Sequence, residues 1–368
     1  MKKRTDGRYC KQIMVGYLPD GRRKMKNIYG KTKQEVEKKE RELKNEIDKG
    51  VNFCDTITVG EWADTWLKTF KTDIAHNTYT RYEGIIDKQI KPMIGSRDIK
   101  NILPETIQKM INELSARLAP ATVKKIRDVM HQMFEQALVA RYISINPVKY
   151  VRLPPLTQKH RDAISDEEVT EITKFCKTYE QGAFIMTLLY TGMRRGEILA
   201  LTKDDIDFNA LTITINKAVE FVDDEPKIKS PKTPKSYRTI PILEPLIPYL
   251  REMANATNKY LFTKDGKLYG KASIESMFRT FLRRYNEYLN VAAVFEEKKT
   301  VKYTMHQFRH TFCTLLYKAG VDVKTIQDLL GHSSIGVTLD IYTHLDKTLK
   351  LKNIDKLNNY LGENIFIQ

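Results

Sequence analysis

The sequence predicts a multidomain protein, mainly α-helical with small β-sheets: an N-terminal β-ribbon with one helix, a bundle of four helices, and a mixed α+β domain. Three observations lead there. The chain has 368 residues, which at about 150 residues per domain gives room for two or three domains. Residues 58–147 carry apolar side chains at helical spacing almost throughout. Strand-like alternation is confined to short runs near the N-terminus and in the second half of the chain.

Composition narrows the function classes before any motif is read. Hydrophobic residues make up 41% of the chain, enough for sizeable cores, and no apolar run approaches the ~20 residues of a membrane span. Met1-Lys2-Lys3-Arg4-Thr5-Asp6 is basic with no apolar stretch behind it, so it does not read as a secretory signal. Cys10, Cys54, Cys176 and Cys313 are scattered, with no C-x-x-C and no His/Cys cluster at zinc spacing. That argues against a disulfide scaffold or a zinc ribbon and for a reducing cytoplasm. The net charge is +16, and residues 1–33 hold eleven Lys or Arg against two Asp or Glu. More than half the excess thus sits in less than a tenth of the chain, which suits a polyanion whose counterions are released when phosphates are neutralised. A solubilising face or basic tail is the plainer reading of the charge alone.

Residues 1–50 form the first part. Tyr9, Lys11, Ile13, Val15 and Tyr17 fall on one side of a strand, Pro19-Asp20-Gly21 supplies a turn, and Arg22 to Tyr29 returns as a second strand. On that strand Arg22, Lys24 and Lys26 share a face. Thr32-Lys33-Gln34-Glu35 is a capping-box pattern opening a charged helix to Asp48. The basic strand suits entry into a DNA groove, with Lys11, Arg22, Arg23, Lys24 and Lys26 as candidate contacts; a protein-binding module is the rival reading. Residues 56–148 form the helical part. Thr58-Val59-Gly60-Glu61 is a second capping box, and Val59, Trp62, Ala63, Trp66, Leu67 and Phe70 follow at helical spacing. Tyr79, Tyr82, Ile85, Ile86 and Ile90 predict a helix that stops at Pro92. Pro104 and Pro120 sit where a helix tolerates proline, at its first position. Val123, Ile126, Met130, Met133, Phe134, Ala137 and Leu138 form a stripe that Asn146-Pro147 ends. These stripes read as core. Residues 149–162 have the composition of an extended basic linker. From 163 to 368 the mixed domain opens on Ser165-Asp166-Glu167-Glu168 and contains two strand candidates, Leu211–Ile215 and Tyr237–Ile242.

Three constellations and one tyrosine in that last domain bear on chemistry. Thr191-Gly192-Met193-Arg194-Arg195-Gly196-Glu197 follows an apolar helix, with Gly192 suited to a left-handed helix end. An arginine on so sharp a turn is aimed by the backbone and suits bidentate phosphate recognition, with Glu197 as a brace; a structural Arg–Glu pair is the competing reading. His306-Gln307-Phe308-Arg309 puts His306 and Arg309 on one helical face, which alone is an ordinary surface pair. Leu330-Gly331-His332-Ser333 places a histidine directly after a helix-ending glycine, and Tyr342 lies ten residues beyond it.

Taken in order, Thr191-Gly192-Met193-Arg194-x-x-Glu197, Lys232-Thr233-x-x-Ser236-x-Arg238, His306-x-x-Arg309-His310-Thr311, Leu330-Gly331-His332-Ser333 and Tyr342 resemble the motifs of the tyrosine recombinases, the phage integrase family. The resemblance covers essentially the whole chain and extends to the layout of arm-binding integrases of phages and conjugative or integrative elements. It implies an arm-type DNA-binding domain at 1–50, a core-binding domain at 56–148 and a tyrosine-recombinase catalytic domain at 163–368 with a C-terminal tail from about 346. It also implies roles. Tyr342 is the nucleophile that forms a 3′-phosphotyrosyl link, and Arg194 and Arg309 hold the non-bridging phosphate oxygens. Lys232 protonates the leaving 5′ oxygen, with Lys227, Lys229 and Lys235 as its competitors in the same turn. His306 takes or relays the tyrosine proton, and His332 hydrogen-bonds the phosphate. A phosphate clamp of this kind does electrostatically what a metal does elsewhere, so no metal, ATP or other cofactor is expected. Arg195 is expected to contact DNA or solvent, and Gln307 to point away from His306.

The expected partners are double-stranded DNA at core and arm attachment sites, and a homo-tetramer assembled on DNA by exchange of the C-terminal tails. An excisionase and a DNA-bending host protein are the expected accessories, in the cytoplasm at the nucleoid and without a membrane. Two other functions are weighed. A catalytically silent DNA-binding regulator is opposed by six competent residue types at the six catalytic positions. A type IB topoisomerase would not need the arm-like module.

Overall fold

The computed structural model describes residues 1–17, 22–48, 57–155, 162–230, 237–257, 259–292 and 300–331. They divide into two compact units between residues 159 and 160.

The first unit begins with an antiparallel sheet of β1 (Lys2–Lys3), β2 (Tyr9–Tyr17) and β3 (Arg23–Gly30), in that order, followed by α1 (Lys33–Asp48). The helix opens as its capping pattern predicts, with Glu35 N donating to Thr32 Oγ1 at 3.1 Å. One sheet face closes on α1 through Ile13, Val15, Ile28, Val36 and Leu43. Register assigns the cations to faces. Lys11 pairs with Ile28 and Ile13 with Lys26, so Lys11 and Lys26 stand on the helix-facing side, because directly opposed residues share a face. Lys11 is ion-paired there with the buried Glu40. Lys24 alternates with Lys26 and Ile28, as the sequence predicts, but on the helix side of the sheet. The opposite face carries Arg23, Met25, Asn27 and Tyr29, with Arg4 and Arg8 each over the Tyr29 ring at 5.6 and 5.7 Å.

The helical part holds α2 (Val59–Phe70), α3 (His76–Ile85), α4 (Lys91–Ile94), α5 (Pro104–Arg117) and α6 (Pro120–Val139). The Thr58 capping box forms, Thr58 Oγ1 accepting from Glu61 N while Thr58 N donates to Glu61 Oε2. Buried Trp62, Trp66, Ile111, Leu114, Met130 and Phe134 belong to one core, and Trp62 Nε1 donates to Met133 O at 3.0 Å. Two expected helix ends are corrected. The third helix does not stop at Pro92: a π-helical turn, Ile86–Ile90, joins α3 to α4. The wider turn accommodates the proline ring and its missing N–H, which an α-helical ladder would not. Conversely, α6 ends at Val139, well before Asn146-Pro147. Arg141 takes a left-handed φ of 61°, and Tyr142 N returns to Ala137 O at 2.9 Å, packing its ring 5.0 Å from Trp62. The first two residues of the expected linker at 149–162 close a short helical turn, Pro147–Tyr150.

The second unit starts with α7 (Asp166–Cys176), capped by Ser165, then α8 (Gly182–Thr191) and α9 (Arg195–Leu199). A three-stranded antiparallel sheet follows in the order β4 (Ile206–Asp207), β5 (Thr212–Ile215), β8 (Arg238–Pro241). Between β5 and β8 lies a hairpin of β6 (Ala218–Val222) and β7 (Glu225–Lys229), which the sequence reading does not anticipate. Its tip is Asp223-Asp224, both with positive φ of 50° and 71°, the turn geometry that matches strand twist. The rest comprises α10 (Ile247–Ala256), the short pair β9 (Thr263–Lys264) and β10 (Lys267–Leu268), α11 (Lys271–Ala292), α12 (Met305–Lys318) and α13 (Val323–Leu330). Asp224 also caps α11, its Oδ1 accepting from Ala272 N at 2.9 Å. Its core includes Phe184, Ile185, Leu188 and Leu189 of α8 together with buried Phe281, Tyr285 and Phe308. No described helix is long and apolar enough to cross a membrane.

Candidate active site

Three helix termini build the site. The first is the end of α8, where Gly192 adopts a left-handed φ of 59° and turns the chain sharply into α9. The close packing of this turn leaves no room for a side chain: a Cβ on Gly192 would fall 2.4 Å from Phe312 Cδ1 and 2.6 Å from Leu330 Cδ2. Arg194 is the N-cap residue of α9, and Glu197 reaches back to it. Glu197 Oε2 accepts from Arg194 N and Oε1 accepts from Arg194 Nη1, both at 2.8 Å.

The second terminus is the start of α12. Thr304 caps it through Gln307 N. His306 is partly covered and partly open to solvent, while Arg309, one turn on, is 3% exposed. Gln307 points elsewhere, donating to Asp162 O at 2.8 Å. The third terminus is the end of α13, which closes on Gly331 with a left-handed φ of 65°.

Arginines knit these termini together. Arg309 donates to Gly192 O and to Leu330 O, both at 2.6 Å. Arg194 Nη2 donates to Gly331 O at 2.9 Å. Each acceptor lies at a helix C-terminus, the negative end of the macrodipole, which suits a guanidinium. Glu197 is the carboxylate among them. Burial alone would raise its pKa, but Arg238 first and Arg194 after it hold it below the ordinary carboxylate range. One anion among three guanidiniums leaves excess positive charge, and neighbouring groups register it. Burial, then the charges of Arg309 and Arg194, lower the pKa of His306, so it is neutral near pH 7. Burial and then Arg194 also press that of Arg309 downward. Among the described residues, Arg194 uses two of its five N–H donors and is 45% exposed along its side chain. The site is therefore a preorganised positive cluster with donors to spare for an anion.

Several expectations are resolved by this geometry. Arg194, Arg309 and His306 come together, and Glu197 braces the turn. Arg195 lays its guanidinium 5.1 Å over the Phe221 ring and 3.6 Å from Glu275 while a third of its side chain stays open to solvent. Lys229, one of the competitors of Lys232, is ion-paired with Glu220. Lys232, Lys235, His332, Tyr342 and the tail from 346 lie outside the described residues. Burial pushes the Cys176 and Cys313 thiols up to about 12 and about 11, so neither offers a thiolate nucleophile near neutrality. Among the described residues, no three His, Cys, Asp or Glu side chains group at metal-binding spacing. Sequence reasoning assigned no task to Arg238, although it stands in the Lys232 motif. Its contacts depend on residues 41 and 91 positions away, which no local spacing reveals.

Residues 162–348 match the family model described as the phage integrase family, and residues 58–115 match the phage integrase N-terminal SAM-like domain. The chain belongs to the phage integrase family. It is therefore a tyrosine recombinase, of the enzyme class that cuts and rejoins DNA in site-specific recombination. A tyrosine recombinase XerC-like protein of Caldanaerobacter subterraneus subsp. tengcongensis is 31% identical over 95% of this chain and 96% of its own length. The ICEBs1 integrase of Bacillus subtilis is 26% identical over 98% of this chain and all of its own. In fold, the integrase is similar to the Tn1549 transposon integrase in complex with a circular intermediate DNA, with TM-score 0.72 and 21% identity over 82% of this chain and 100% of that one. It is also similar to a lambda integrase dimer bound to a core site, with TM-score 0.58 and 17% identity over 92% of this chain and 93% of that one.

Proposed function

We propose that this integrase inserts and excises a mobile element by transesterification at the cluster of Arg194, Arg309 and His306. The observation that carries the reading is that Arg194 and Arg309 are locked onto the adjacent carbonyls of Gly331 and Leu330. The cluster's excess of positive charge is what a phosphate would relieve. In this reading Tyr342 Oη attacks the scissile phosphorus and gives its proton to neutral His306. The bond to the 5′ oxygen breaks, and Lys232 donates a proton to that oxygen, leaving a 3′-phosphotyrosyl link and a free 5′-hydroxyl. Attack by another 5′-hydroxyl reverses the steps and completes strand exchange. Arg194, Arg309 and His332 stabilise the negative charge of the pentacoordinate transition state.

The same reading assigns residues 1–50 to arm sites and 56–148 with 163–368 to core sites, joined by the linker at 149–162. One protomer then bridges two DNA segments, because a tethered second site raises effective concentration. Tetramer assembly on DNA through tail exchange, with an excisionase and a DNA-bending host protein as accessories, belongs to this reading, as does work at the nucleoid in the cytoplasm. The test is an SDS gel of wild type and Tyr342→Phe incubated, in chelator and without ATP, with a nicked fragment of the DNA flanking the gene. A covalent adduct with wild type alone is expected. An adduct that survives Tyr342→Phe, or binding without any adduct, contradicts the mechanism.

A further inference from the structure

Arg238 is a buried arginine that the mechanism leaves without a task. It is the first residue of β8, six positions after Lys232, and its side chain is 5% exposed, so it cannot present its fork to DNA. Nη1 and Nη2 hold Glu197 Oε1 and Oε2 at 3.2 and 2.8 Å. Nε donates to Leu329 O at 2.7 Å. Leu329, Leu330 and Gly331 thus give their successive carbonyls to three different arginines: Arg238, Arg309 and Arg194. Gly331 is fitted to this arrangement, since a Cβ there would lie 3.0 Å from Arg238 Nη1 and 3.3 Å from its Cζ.

We infer that Arg238 is the positioning residue of the site. Through Glu197 it sets the direction of Arg194, and through Leu329 it holds the end of α13, where Gly331 accepts from Arg194. It does so from β8, so one guanidinium ties the turn that carries Arg194 to the end of α13. A lysine cannot replace it, because an ammonium lacks the planar fork that spans both carboxylate oxygens and a carbonyl. The inference rests on the proposed role of Arg194 at the non-bridging oxygens.

The test compares adduct formation on nicked DNA carrying an Rp or an Sp phosphorothioate at the scissile position. The ratio of the two rates reports where the arginine donors point, and a loss of folded enzyme cancels from it. Wild type must first form an adduct; its failure to do so overturns the functional reading and this inference with it. For Arg238→Lys the adduct rate is expected to fall by about tenfold or more at nearly unchanged DNA affinity. The Rp to Sp ratio is expected to shift by about fivefold or more. Arg238→Met combined with Glu197→Gln removes both buried charges, guards against a variant that does not fold, and is expected to shift the ratio as well. An unchanged ratio in the variants that melt cooperatively, whether both rates hold or fall together, overturns the inference.

Discussion

The N-terminal ribbon and the active-site cluster hold positive charge in opposite ways. In the ribbon it lies on the surface: the Lys11 and Lys44 side chains around Glu40 are 39% and 60% exposed, over a core of five buried residues. In the cluster, Arg238 and Arg309 are buried, and every described donor contact goes to one carboxylate or to a helix-end carbonyl. Exposed charge of the first kind is screened by salt, adds up contact by contact and suits affinity. Buried, fixed charge is costly to assemble but does not reorganise when negative charge develops, which suits catalysis. The two regions use positive side chains for different work, and the difference lies in burial and in who holds the side chain.

The sharpest way to break that comparison is to remove the carboxylate from each. Glu197→Leu leaves Arg238 buried without its counter-charge and is expected to cost about 3–5 kcal/mol in thermal or denaturant unfolding. Glu40→Leu unpairs two exposed lysines and is expected to cost about 1 kcal/mol or less. Equal losses would contradict the contrast. A smaller effect comes from glycine. Gly192→Ala combines a left-handed φ with overpacking against Phe312 and Leu330, and is expected to lose about 2–4 kcal/mol. Gly7, with φ +81° and open space around it, carries only the conformational penalty of about 1 kcal/mol. Melting curves of the two alanine variants decide. The smallest effect is in pH. His306 has a depressed pKa in the fold, so the unfolded chain takes up its proton first as pH falls below about 6.5. Wild type should therefore lose Tm relative to His306→Gln between about pH 7 and 5, with the two running parallel at higher pH. A gap that instead opens above neutrality would contradict the assigned direction.

Much of this was readable from local chemistry. Thr58 and Ser165 each precede an acidic residue at the capping-box distance, and Pro104 and Pro120 each open a helix. Such signals act over three or four residues and survive any tertiary context. Gly192 and Gly331 were readable too, because a helix that must end at a defined place favours the residue without a Cβ. What was not readable depended on distant partners. Pro92 looked like a stop because nothing local announces a π turn. The β6–β7 hairpin was missed because Asp223-Asp224 lacks the usual glycine and because its anchor, the start of α11, lies nearly fifty residues on. Arg195 and Arg194 are neighbours in sequence, and only the packing of Phe221 and Glu275 separates their fates. Lys11 carries the same charge as Arg23 but faces Glu40.

The central claim is that the fixed arginine cluster acts on the transition state while the charges of the N-terminal ribbon supply affinity. Arg194→Ala on a nicked fragment of the DNA flanking the gene tests it most directly, with dissociation constant and adduct rate measured in the same buffer. The account predicts a rate lowered by about a hundredfold or more, with affinity changed by no more than about threefold, the loss of one phosphate contact among many. A rate that falls only in proportion to affinity would contradict it.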